Sequence, residues 1–239
     1  MRNIAQKYLV AYSAAITLVF AVVVLTGAAA DRSAKFDTID VQRINVREAD
    51  GTLRMVVSNE GRFPGAIFQG REYPHPRDAA GMIFYNDEGT ENGGLIFNGG
   101  KDAGGETNSG GHISFDPYDR DQAISLSQIE EDGVVRAALA INDTGTVSIE
   151  SVLREMERIK TLPEAERDEA MKALRSQGGG SAQRVFVGKN DKQVSVVALS
   201  DANGQPRLLL RVTPEGEAKI EFLDADGNVQ QTLAPLPAG

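Results

Sequence analysis

The stretch IEEDGVVRAALAINDTG, Ile129 to Gly145, decides how the chain is read. An acidic residue and a glycine stand where a turn belongs, an arginine follows three positions later, and an apolar run leads to the next glycine. The same frame occurs in READGTLRMVVSNEG (47–61) and LSDANGQPRLLLRVTPEG (199–216), and again, with Gln230 in place of arginine, in LDADGNVQQTL (223–233). Asp-Gly and Asn-Gly supply the positive φ angles that a tight hairpin turn requires. Within these groups the glycines fall 10 to 12 residues apart, the spacing of short antiparallel strands joined by turns. Ala218, Ile220 and Phe222 alternate with Lys219 and Glu221, which predicts a strand with one dry and one wet face. The frame is a degenerate hairpin repeat. Its arginines, Arg54, Arg136 and Arg207, are expected to pair with acidic residues of the turns rather than to grip an anion.

One segment breaks the beat. SIESVLREMERIKTLPEAERDEAMKALRSQGGGS, 148–181, reads as two helices: Ile149, Val152, Leu153, Met156 and Ile159 follow helical spacing. Thr161 and Glu164 suit a capping box, Pro163 suits a first helical turn, and Gly178 to Gly180 end the stripe. NDTG (142–145) matches a glycosylation sequon and is expected to be a turn. The N-terminus differs again. Tyr8 to Ala30 carries no charge and is long enough to cross a membrane as a helix, which takes about 20 residues. Arg2 and Lys7 precede it, so the positive-inside bias exports the remainder. Length favours an uncut anchor; a cleaved signal peptide with Ala28 and Ala30 before the cut is the alternative.

The expected fold is therefore mainly β: an N-terminal transmembrane helix, then an antiparallel hairpin-repeat body interrupted by a helical hairpin. The divisions are 1–30 (signal-anchor or signal peptide), 31–145 (extracytoplasmic β domain), 146–180 (helical hairpin and glycine-rich joint) and 181–239 (a β-meander ending in a frayed APLPAG). Exposed edges on such hairpins invite pairing with another copy. A chain without cysteine has no disulfide, thiolate nucleophile or lipid attachment, and a net charge of −9 without a basic cluster argues against nucleic acid as a partner.

Residues 61–120 hold 13 of the 25 glycines, 8 of the 14 aromatic residues and both histidines, so a site is expected there. In FYNDEGTENGGLIFNGG (84–100), Asp87, Glu91 and Asn92 offer oxygen ligands to a divalent cation, but the spacing fits no calcium loop; a hairpin with DEGTENG as its turn is the favoured reading. In GGHISFDPYDRDQ (110–122), His112, Asp116, Asp119 and Asp121 cluster, and His112, Ser114 and Asp116 share a face if HISFD is a strand. Tyr118 adds an aromatic ring for a carbohydrate. His75, between Pro74 and Pro76, is expected to be exposed on a rigid turn. No GxSxG elbow or phosphate loop occurs. INVREADGTLRMVVSN, NDEGTENGGLIF and GGHISFDPYDRDQ together resemble a family of exported bacterial proteins without assigned activity, over about residues 39–145. The resemblance implies a bacterial envelope setting and a β-rich fold, and it brings no catalytic residues. The functions expected are, in order, a non-catalytic structural or protein-interaction module held at the periplasmic side of the inner membrane, a carbohydrate- or divalent-cation-binding module using residues 61–120, and an envelope hydrolase. No cofactor is expected beyond the candidate cation, and the partners expected are the membrane through residues 8–30 and another copy or an envelope protein.

Overall fold

A computed structural model describes residues 2–28, 33–75 and 77–235. Ala30, Pro76 and the end of the C-terminal APLPAG lie outside the described residues. The chain divides into two compact units, Met1–Asp40 and Val41–Gly239. The first unit holds helix α1, Arg2–Ala28, whose apolar stretch Asn3–Val24 has the length and hydropathy of a membrane anchor or a signal sequence. No acidic residue stands in its first turn and no basic one in its last.

The second unit is one antiparallel meander with a helical hairpin in its middle. Its strands are β1 (Arg43–Arg47), β2 (Leu53–Ser58), β3 (Ala66–Phe68), β4 (Arg71–Tyr73), β5 (Ala80–Tyr85), β6 (Glu91–Lys101), β7 (Thr107–Phe115), β8 (Ile124–Glu131) and β9 (Val134–Asp143). Helices α2 (Ile149–Lys160) and α3 (Glu164–Leu174) follow. The chain then continues through β10 (Ala182–Lys189), β11 (Ser195–Ser200), β12 (Pro206–Val212), β13 (Ala218–Leu223) and β14 (Val229–Leu233). β3 and β4 pair with each other; the other twelve form a single sheet in chain order. β9 and β10 pair directly, Leu139 opposite Val187, across the inserted helices. The β part before the helices and the β part after them are thus one sheet.

The turns follow a rule that differs from the expected Asp-Gly turn. In seven of them the amide of the first residue donates to the carbonyl four residues on, and the amide three residues on donates back: 48–52, 86–90, 102–106, 190–194, 201–205, 213–217 and 224–228. The residue with positive φ is the fourth, Gly51, Gly89, Gly105, Gln193, Gly204, Gly216 or Gly227, the geometry of a type I turn closed by a left-handed residue. In most, the first residue's side chain does the capping: Asp201 Oδ1 accepts from the amides of Asn203 (2.9 Å) and Gln205 (3.1 Å), and Asp224 Oδ1 from those of Asp226 (2.9 Å) and Asn228 (2.8 Å). Accepting those bonds holds both carboxyls below their ordinary range, although for Asp201 the Arg207 guanidinium is the larger cause. Among the frame's own turns Asp132-Gly133 has positive φ at two successive residues, as Gln69-Gly70 does between β3 and β4; this is the two-residue turn that the frame had suggested for all.

The recurrent arginines pair with acidic residues as expected. Arg136 meets Glu131 at 2.5 Å and Arg207 meets Asp201 at 2.5 Å, each within its own hairpin; Arg54 reaches Glu48 at 3.4 Å and also bonds Asp87 of the next turn. Two local expectations fail. Thr161 does not open α3: its hydroxyl donates to the Arg158 carbonyl at 2.7 Å and closes α2, while Pro163 starts α3 without a side-chain cap. NDTG is not a hairpin turn, because Asn142 and Asp143 end β9 and Asp143 pairs with Arg184 at 2.5 Å. Gly145 then passes so close to the glycine stop after α3 that an added Cβ would lie 2.0 Å from the Gly178 carbonyl oxygen and 2.7 Å from that of Gly180. Gly145→Ala is therefore expected to destabilise the unit by about 1–3 kcal/mol, the usual cost of overpacking, read as a fall in the denaturant midpoint at unchanged slope.

Candidate functional site

The two faces of the sheet have opposite fates. One is covered by the β3–β4 hairpin and by α2; there Leu53, Val56, Ile67, Ile83 and Tyr85 form the buried core, with Phe63 against it. The other face carries an unbroken row of cross-strand neighbours, one from each of twelve strands. In sheet order it runs Ile44, Val57, Met82, Leu95, Ile113, Leu126, Leu139, Val187, Val197, Leu210, Ile220 and Leu233. All are apolar, and none is buried. Beside it runs a second row, Phe115, Ile124, Ile141, Val185, Leu199, Leu208 and Phe222. Phe97 and Phe115 are 58% and 61% exposed. At the C-terminal end the open face dips into an apolar hollow of about 650 Å³ lined by Val187, Val197, Leu210, Ile220 and Leu233.

This corrects the reading of β13. Its alternation is present, but the sides are exchanged with respect to solvent: Phe222 is exposed while Glu221 is buried. Glu221 is held by Arg211, which supplies the counter-charge that a buried carboxylate needs.

The covered face holds a cavity of about 560 Å³ roofed by α2 through Leu153 and Met156, with Phe68, Ile83 and Ile96 on its apolar side. Its polar lining includes Arg77, Glu91, His112, Ser114, Asp116 and Asp121. The expected strand HISFD is the end of β7, so His112 and Ser114 do share a face, and Asp116 follows just past the strand end. Arg77 Nη2 bonds Glu91 Oε2 at 2.6 Å. Buried side-chain atoms without a protein partner include Arg77 Nε, His112 Nε2 and Asp116 Oδ1, all three from residues of this cavity. Burial raises Asp116 to about 7, and Glu91 and Asp121 add to the effect. Burial lowers His112, so its imidazole is neutral at pH 7, with Gln122 opposing through a hydrogen bond.

Of the residues expected to form a site, Glu91, His112 and Asp116 converge. Asn92 braces Asp116 from behind: its Nδ2 donates to the Asp116 carbonyl at 2.5 Å, and its own carbonyl accepts from the Asp116 amide at 3.1 Å. Asp87 lies on the 86–90 turn and pairs with Arg54. Tyr118 is exposed and donates to Glu88 Oε2 at 2.6 Å. Asp119 offers its carbonyl to the Ile149 amide at 3.0 Å, which fixes the start of α2. The favoured hairpin reading of DEGTENG holds, with Asn86 to Thr90 as the turn between β5 and β6. His75 is exposed, as its proline neighbours suggested, yet it stands at the rim of the cavity. Among the described residues no three His, Asp or Glu side chains group as a metal site. Asp87 and Glu91, expected together as ligands of a divalent cation, have different partners: Asp87 pairs with Arg54 and Glu91 with Arg77. Sequence reasoning missed Arg77 and the α2 lid, since both reach the cavity only through tertiary folding.

Asp116 gives a pH test. Its folded pKa is raised, so its contribution to stability is fully present below about pH 4 and is lost as pH rises through about 7. Asp116→Asn, which mimics the neutral acid, is expected to stabilise the unit at pH 8 by about 1–2 kcal/mol after discounting for partial solvent access. That gain disappears below about pH 4. A melting series from pH 4 to 8 on both proteins reads it.

Compared with protein-family models, curated proteins and solved structures, the chain matches none.

Proposed function

We propose that this chain is a membrane-anchored, non-catalytic module that works by protein contact through the open face of its sheet. The observation that carries the reading is the unbroken apolar row across twelve strands. A sheet face of this kind is stable when packed against another layer, and contiguous exposed apolar area beyond a few hundred Å² marks an interaction surface. The apolar helix α1 supports attachment to a membrane, and Arg2 and Lys7, ahead of its uncharged stretch, support export of the β unit. The periplasmic face of a bacterial inner membrane is the setting that fits this orientation together with the family resemblance.

The test is Phe97→Asn with Phe115→Asn. Both rings are largely exposed, so the melting curve is expected to stay within about 0.5 kcal/mol of the parent. In sedimentation after mild detergent extraction, the parent is expected to travel as a particle heavier than one chain plus its micelle, and the variant as a single chain. A parent that sediments as a single chain overturns the reading.

The cavity favours a second reading, a small-ligand module. Unpartnered Asp116 Oδ1 and His112 Nε2 in one chamber would be satisfied by a polar ligand with an apolar body against Phe68 and Met156. It predicts a saturable rise in melting temperature with one member of a glycan panel, absent in Asp116→Ala.

A further inference from the structure

We infer that the open face is covered by the same face of a second copy of this chain, so that two sheets close into a sandwich with the apolar rows inside. The inference rests on the proposed interaction role and names the partner.

Area supports it. Strands about 4.8 Å apart make twelve of them on the order of 50 Å wide, and an apolar band about four residues deep adds about 13 Å. Each copy then offers on the order of 700 Å², and a pair buries on the order of 1,400 Å², inside the range of about 1,200–2,000 Å² for stable complexes. The anatomy fits as well. The centre of the face carries no charge, so an acidic chain meets itself there without like-charge contact. At one margin Thr107 and Ser109 donate to Glu130 at 2.8 and 3.1 Å, and Gln128 donates to Ser109 at 3.2 Å. These four share the open face by register. An apolar centre with a satisfied polar rim is the pattern of a protein interface.

Shape points the same way. Phe97 on β6 and Phe115 on β7 project on one side of the centre of the face, and the hollow of about 650 Å³, lined from β10 to β14, lies on the other. A twofold axis near the centre, between β8 and β9, sets each copy's phenylalanines over its partner's hollow, which is how an isologous pair satisfies both sides at once. Anchored copies already share an orientation in the membrane, and an axis along the membrane normal preserves it. A lipid surface fits less well, because attraction to anionic headgroups needs clustered Lys and Arg and the chain has a net charge of −9 without such a cluster.

The experiment co-expresses two differently tagged full-length copies in membranes and extracts them in mild detergent. One tag is captured and the other is quantified, with light scattering of the purified particle. The expected result is co-capture of the second tag, a protein mass of two chains, and loss of both in Leu126→Arg, which places like charges across the axis on a residue already 52% exposed. Co-capture that survives Leu126→Arg would show pairing through the open edges β1 and β14 and overturn the inference. A heavy particle containing one copy and a different protein, or one copy and bound lipid, also overturns it. In the first of these cases the interaction role stands. Retained melting behaviour in Leu126→Arg separates loss of pairing from loss of fold.

Discussion

Ile83→Ala is expected to cost the β unit about 3–4 kcal/mol, the largest loss from any single truncation considered. Ile83 is 1% exposed and stands at the centre of the covered face, between Val56 of β2 and Gly94 of β6. Its Cδ1 fills the space above Gly94 so closely that a Cβ there would come within 2.9 Å. Truncation removes the contacts that set the floor of the cavity, and the void joins the existing chamber. The neighbouring backbone is pinned by ladder bonds on both sides and collapses little, which puts the cost high in the observed range for such substitutions. For a unit of about 200 residues this amounts to a fall in melting temperature of about 6–15 °C. Ile83→Val, which keeps most of the volume, is expected to cost about 1 kcal/mol. A similar fall for both would show that the Cδ1 methyl, which each variant lacks, carries the effect rather than the filled volume as a whole.

The second large effect concerns charge. Glu221 is buried on the covered face of β13, with its side chain 7% exposed, and Arg211 is its ion-pair partner. Arg211→Ala leaves that carboxylate without a counter-charge and is expected to cost about 2–3 kcal/mol; the value is set below the usual loss for a fully buried pair because Arg211 itself is 37% exposed. The double substitution Arg211→Met with Glu221→Leu is expected to recover most of the loss, since removing both charges leaves no unpaired group. A double-mutant cycle in denaturant at one pH measures the coupling. A double variant as unstable as Arg211→Ala would assign the loss to packing instead.

The sequence displayed the strands well because period-2 alternation is a local property. LSDANGQPRLLLRVTPEG contains the turn, the arginine and the apolar run that become β12 and its flanking turns. It displayed the helical hairpin for the same reason. It did not display which apolar face would be buried, because burial depends on what packs over the sheet. Ala218, Ile220 and Phe222 look like a core stripe, and within one chain they remain open. Register was equally hidden: the row from Ile44 to Leu233 depends on eleven pairings, and six of them are set by a turn capped by the first residue of its frame rather than by the one before the glycine. Asn86, Asp102, Asp201 and Asp224 held that signal all along.

The candidate site was half legible for a related reason. His112 and Asp116 are four residues apart on one strand and its exit, so local spacing put them on one face. Glu91 joins them through the β6–β7 pairing, and Arg77 and the α2 lid join through contacts that no spacing encodes. Asp87, Tyr118 and Asp119 looked equivalent as acidic or aromatic loop residues, but the turn at 86–90 and the start of α2 use them locally.

The measurement that tests the central claim most directly uses the absence of native cysteine. Single-cysteine variants Phe97→Cys, on the open face, and Asp191→Cys, on an exposed turn, are expressed full length, and their rates of reaction with a membrane-impermeant maleimide are compared in intact membranes opened to the reagent. A covered face predicts that Phe97→Cys reacts at least ten times more slowly than Asp191→Cys, and that Leu126→Arg in the same chain restores its rate. Equal rates in the parent background would show the face open to water in the working protein and would contradict the account.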